Sequence, residues 1–157
     1  MKLTRAVEPW VLEPLERFVL EAGARLTLVM TPSGQVLAQH GFTRAVDVMA
    51  AAALGAGIVA STAEIARMMD ESTFHALNHQ GRRHGIFLGA CDTGRGRLLV
   101  LVVYAAESSS VGLVQLFFEE LAVALAAAAP APAEQPPVLA ADFERDLNES
   151  LATLFRP

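Results

Sequence analysis

At 157 residues, with 53% hydrophobic and 18% charged side chains, the chain has enough apolar material for one packed domain and an appendage. A formal charge of −5 argues against a nucleic-acid binder, because neutralising phosphates takes a clustered basic face. A single cysteine, Cys91, excludes an internal disulfide, and Arg5 and Glu8 interrupt MKLTRAVEPW where an export signal needs an unbroken apolar run, so the expected compartment is the cytoplasm.

The first predicted element is a helix over Pro9 to Ala22. Proline is tolerated in a first turn, Leu12, Leu15 and Val19 recur at helical spacing, and Gly23 stands at a C-cap position. Arg25 to Met30 and Gln35 to His40 flank Pro32-Ser33-Gly34 and read as a hairpin. A long helix follows from about Ala45 to Met69, with Asp47 near its positive N-terminal end. Phe74 to Gln80, Arg83 to Ala90 and Leu98 to Tyr104 are three further strands, divided by Gly81-Arg82 and Gly94-Arg95-Gly96. The run LLVLVVY has no polar alternation, which places it in the middle of a sheet and buries it on both faces. Ser108, Ser109 and Ser110 offer N-cap oxygens to a helix carrying Val111, Val114, Phe118, Leu121 and Leu125.

The order α-β-β-α-β-β-β-α predicts an α+β domain over residues 1–128, with a five-stranded antiparallel sheet covered by helices on at least one face. Residues 129–140, rich in Pro and Ala, read as a linker that favours extended backbone. Residues 141–157 read as a tethered amphipathic C-terminal helix, its stripe of Phe143, Leu147, Leu151 and Phe155 set against Asp142, Glu144, Arg145, Asp146 and Glu149. So short a helix is marginal in water, so it gains order by docking, either on its own domain or on a partner.

Between Asp47 and Glu64 the long helix carries no charge. Ala51, Leu54, Ile58, Ile65 and Met69 share a narrow arc and are expected to pack on the sheet. The opposite face holds Met49, Ala53, Ala56, Gly57 and Ala60, where a soluble helix carries Lys, Glu or Arg. A membrane span is not expected. It needs roughly 20 predominantly apolar residues, and this run is shorter, mostly Ala and Gly, and closed by Glu64, Arg67 and Asp70. The remaining covers are the chain's own helices, a second copy or a different protein. Ala53, Gly57 and Ala60 suit a flat helix-on-helix contact.

Catalytic chemistry is hard to find. His75 and His79 share a strand face and His84 approaches across a hairpin, yet strand-edge histidines facing solvent are far commoner than a zinc site with three convergent ligands. The three serines lack a nucleophile elbow and are read as caps. Gly94-Arg95-Gly96 leads into a strand, not a phosphate-binding helix, and no G-x-x-x-x-G-K-[ST] occurs. No cofactor, metal or catalytic residue is expected, and the chain reads as an adaptor or regulator.

The layout, the strand ending Asn78-His79-Gln80-Gly81, the hairpin LTLVMTPSGQVLAQHG with Gly34, and the run Leu98 to Tyr104 leading into a helix resemble the Roadblock/dynein light-chain family, within it the bacterial MglB group. The resemblance covers roughly Pro9 to Leu125, and the helix from Asp142 to Phe155 is similar to the C-terminal extension of MglB-type members. It implies a homodimer with long helices side by side and sheets joined edge to edge. It also implies, as partner, a small Ras-like GTPase of the MglA type that sets cell polarity, whose GTP hydrolysis the dimer stimulates without an arginine finger. The arginines that such a finger would draw on are Arg44, Arg67, Arg82 and Arg83. By similarity the GTPase contacts the long helix around Ala53, Gly57, Ala60, Ser61, Glu64 and Arg67, and the C-terminal helix contributes Phe143, Leu147 and Leu151. The implied setting is cytoplasmic, extending to a cell pole. An alternative within the same fold is a non-activating scaffold that recruits a GTPase or response regulator. A third class, a small-molecule sensor, lacks convergent polar groups over an apolar pocket.

Overall fold

The computed structural model describes residues 3–72, 74–132 and 137–154, the side chains of 137–144 excepted. In chain order the elements are β1 (Thr4–Ala6), α1 (Pro9–Ala22), β2 (Ala24–Met30), β3 (Val36–His40), α2 (Ala45–Met68), β4 (Ala76–Gln80), β5 (His84–Thr93), β6 (Gly96–Ala105), α3 (Val111–Ala128) and α4 (Pro137–Leu154). Strands order as β1-β3-β2-β6-β5-β4, all neighbours antiparallel. The sheet therefore has six strands, not five. The additional one, β1, is three residues long and pairs Thr4 with His40 and Ala6 with Ala38. Three residues are too few for a period-2 pattern to stand out.

β1 is latched by a side-chain bond between Thr4 Oγ1 and His40 Nδ1 at 2.7 Å. Partial burial lowers the His40 pKa from its ordinary 6.5, favouring the neutral ring. A detached β1 frees His40 to take up a proton first, so the latch is intact above pH 6.5 and weakens as pH falls below it. Amide-exchange protection of residues 4–6 is therefore expected to drop between about pH 7 and about pH 5, relative to β2 in the same molecule. A pH-independent ratio would remove His40 from the latch.

One sheet face is covered by α1 and α3. Val11, Leu15, Phe18 and Ala22 of α1 and Val114, Phe118, Leu121 and Leu125 of α3 are buried there against Val100, Val102 and Phe87. Gly23 caps α1 with φ 66°, and Ser110 Oγ accepts from Leu113 N at 3.2 Å to cap α3. Ser109 is not a cap: its Oγ donates to the Ala22 carbonyl at 2.6 Å and ties the end of α1 to the start of α3. As expected of the LLVLVVY run, β6 lies between β2 and β5, with Leu98, Leu99, Val100, Val102 and Tyr104 buried.

The other face is covered by α2 alone, and in an orientation different from that expected. Leu54, Ile58, Ile65 and Met69 do not pack on the sheet; they are 40 to 69% exposed. Ala52, Gly55 and Ala66 are the buried positions, with Val48, Ala51 and Val59 packed beside Leu28, Met30, Leu88 and Leu99. Close approach explains the choice: a Cβ at Gly55 would lie 2.7 Å from Met30 Cε, so small residues face the sheet and the bulky ones turn outward. By length and apolarity alone α2 and α3 are each long enough to cross a bilayer. Each nonetheless packs one face on the sheet.

α4 begins at Pro137, where proline fits a first helical turn, rather than at residue 141. Leu147, Leu151 and Leu154 of α4 are exposed. Phe143 falls within the helix but its side chain lies outside the described residues, as does Phe155 altogether.

Candidate partner-binding surface

On α2, Ala53, Gly57, Ala60, Ser61, Glu64 and Arg67 occupy an arc of about 120°, taking 100° per residue, on the side away from the sheet. All six are exposed. A Cβ built on Gly57 meets nothing within 4 Å, so this face is flat and open to an incoming backbone. Ser61 Oγ donates to the Gly57 carbonyl at 2.8 Å, which keeps its hydroxyl on the helix. Arg67 Nε donates to Glu64 Oε2 at 3.1 Å, and a second bond joins Arg67 Nη2 to Glu64 Oε1. This bond from Arg67 holds the Glu64 carboxyl below its ordinary range and raises the guanidinium. The two charges therefore satisfy each other and leave the neighbouring small residues uncharged.

Beside this face runs an apolar flank, formed by the stripe that periodicity had assigned to the sheet. Leu54, Ile58 and Ile65 point outward, and a cleft between α2 and the sheet brings Ile58 and Val59 opposite Phe74, Leu77 and Leu88. Ile86 and Leu77, on the same sheet face, are 42 and 40% exposed. The flank continues to β4, an edge strand that pairs only with β5 and is exposed at each position. Its outer N–H and C=O groups are a template for another strand. β4 is held in plane by Tyr104, whose hydroxyl lies 3.0 Å from both Asn78 Oδ1 and Gln80 Oε1. Gly85 makes room for that ring, since a Cβ there would overlap it.

Of the four arginines suggested by sequence as catalytic fingers, Arg67 is paired with Glu64 and Arg44 lies 3.8 Å from Asp47 on the helix surface. Arg82 and Arg83 lie elsewhere, in a cleft lined with Arg25 and His84. His84 is thus grouped with arginines, not with His75 and His79, and no cluster of three or more metal-holding His, Cys, Asp or Glu occurs among the described residues. Cys91 is buried, and desolvation pushes its thiol up to about 11, with the Asp92 carboxylate adding to the shift, so it is a protonated core residue.

Six antiparallel strands in this order, with two helices on one face and one long exposed helix on the other, define the class as an antiparallel α+β domain. The chain belongs to the Roadblock/LC7 family: residues 11–105 match the Roadblock/LC7 domain. Among solved structures it is similar to the gliding protein MglB of Thermus thermophilus, at 29% identity and a TM-score of 0.66 over 77% of this chain and 89% of that one. Myxococcus xanthus MglB aligns at 25% identity and a TM-score of 0.62, over 71% and 87% of the two chains. A structure described as MglB with a tetrameric arrangement aligns at 30% identity and 0.65, over 76% and 87%. No curated protein sequence matches the chain.

Proposed function

We propose that two copies of the chain form a cytoplasmic dimer that binds a small Ras-like GTPase of the MglA type and stimulates its GTP hydrolysis. The observation that carries the reading is the unsatisfied outer face of α2, small and flat along Ala53, Gly57 and Ala60 and greasy along Leu54, Ile58 and Ile65, in a chain similar to MglB. One helix cannot use both strips for the same contact. The greasy flank, continuous with the β4 edge, is assigned to the second copy, and the small face to the GTPase. Similarity to an MglB with a tetrameric arrangement supports self-association.

Stimulation proceeds without an arginine finger: Arg44 and Arg67 are engaged on their own helix, and Arg82 and Arg83 lie in a cleft to which α2 contributes nothing. The dimer instead binds the hydrolysis-competent arrangement of the switch loops more tightly than the others, and the difference in affinity sets the size of the shift. The test is GTP turnover by a Ras-like GTPase from the same genome, with and without excess of this protein, alongside its mass in solution. A dimer that raises turnover supports the activator. A dimer that binds and leaves turnover unchanged is a scaffold, and a monomer that does not bind overturns both.

The role given to α4 is a contact with the bound GTPase through Phe143, Leu147 and Leu151. Deleting residues 140–157 is expected to leave the dimer intact by sedimentation and to weaken GTPase binding. Dissociation of the dimer on deletion would make α4 a structural element instead.

A further inference from the structure

At the end of the sheet where β2 and β5 begin and β6 stops, residues far apart in sequence meet in one cleft. Arg25 comes from β2, Arg82 and Arg83 from the β4–β5 turn and His84 from the first position of β5, with Glu107 at the rim. The Arg83 carbonyl accepts from Ala106 N at 2.9 Å, which fixes the turn over the end of β6. No ion pair or side-chain hydrogen bond engages Arg25, Arg82, Arg83 or His84 among the described residues, whereas Arg17, Arg44 and Arg67 are all paired with carboxylates. Three guanidiniums against the one carboxylate of Glu107 leave a surplus of two positive charges, in a chain whose total is −5.

Like charges are not gathered at no cost. Each guanidinium is always ionised and repels its neighbours, so the arrangement is stabilised when an anion bridges them. The surplus decides the class of anion. A carboxylate carries one charge and accepts one fork, whereas a phosphate monoester carries about −1.5 to −2 and offers three oxygens to several forks. The geometry points to a phosphate-binding site formed by Arg25, Arg82 and Arg83, with His84 as an additional donor, separate from the α2 surface. The phosphate belongs either to a lipid headgroup or to a free phosphorylated small molecule.

The test uses the full-length protein, wild type and Arg82→Gln/Arg83→Gln, with Arg95→Gln in the β5–β6 turn as a control for lost charge. Inorganic pyrophosphate is titrated calorimetrically at constant ionic strength, and flotation is measured with vesicles of phosphatidic acid, whose headgroup is a phosphate monoester, and phosphatidylcholine against phosphatidylcholine alone. The double variant is expected to lose about tenfold or more in affinity and the control little. Pyrophosphate binding identifies a free phosphate as sufficient; flotation on the anionic vesicles alone identifies a headgroup read at a surface. Absence of both in wild type, or equal losses in the double variant and the control, overturns the site. The GTPase-binding measurement is independent of these outcomes, because the cleft shares no residue with α2.

Discussion

Ala60→Arg is expected to abolish GTPase binding while leaving folding and dimerisation unchanged. Ala60 is exposed near the middle of α2, and arginine is nearly as good a helix former as alanine, so the cost to the fold is within about 0.5 kcal/mol. The cost to binding is of a different order. The surface around Ala60 is flat because Ala53 and Gly57 have no side chain beyond Cβ, and a partner resting on it has no space for a guanidinium. The complex either holds the partner off the helix or buries a charge that Glu64 cannot neutralise, since Arg67 already occupies it. A loss of about 3 kcal/mol or more corresponds to over 100-fold in affinity. Titration calorimetry together with thermal melting measures both quantities. Retained binding at unchanged stability would show that the partner lies elsewhere.

Placing charges in the apolar flank, by Ile58→Glu with Leu77→Glu, is expected to convert the dimer to monomer. In the single chain both positions are 40% exposed, and a glutamate at either reaches water, so the monomer tolerates the change. In a dimer built on this flank each copy buries the 40% of each side chain still exposed, which contributes about 0.6 to 1.2 kcal/mol per residue, this being that fraction of the ~1.5 to 3 kcal/mol for full burial. Two such residues on each of two copies, replaced by carboxylates that repel across a two-fold axis, remove a large share of the association free energy. Sedimentation at micromolar concentration should show the mass halved while circular dichroism is retained. Undiminished mass would place the self-association elsewhere, on α1, α3 or the outer edge at β1. If GTPase binding falls together with the dimer, the partner reads a surface composed of both copies.

Much of the fold was legible because its signals are local. Gly23 in the left-handed region, Ser110 as a cap and the seven apolar residues of β6 act over a few positions, and each element formed where those residues predicted it. What failed was the orientation of α2. A helix apolar nearly all round has no dominant hydrophobic direction, so the largest side chains were assigned inward by default. The sheet selected the other stripe, because Met30 fills the space above it and only Gly55 and Ala52 allow the helix to approach. β1 escaped for a related reason: its partner, β3, is selected by tertiary pairing and by the Thr4 to His40 bond.

Local spacing and residue type were enough to read the order of the elements after β1, to show that no recognisable catalytic motif is present, and to reveal a helix apolar on more faces than one sheet can cover. Packing and strand register set which face turns outward, how it runs on into the β4 edge, and the meeting of Arg25 with Arg82 and Arg83. Those are relations between side chains 57 or more positions apart, or across a sheet, and they are set by packing and register rather than by any local pattern.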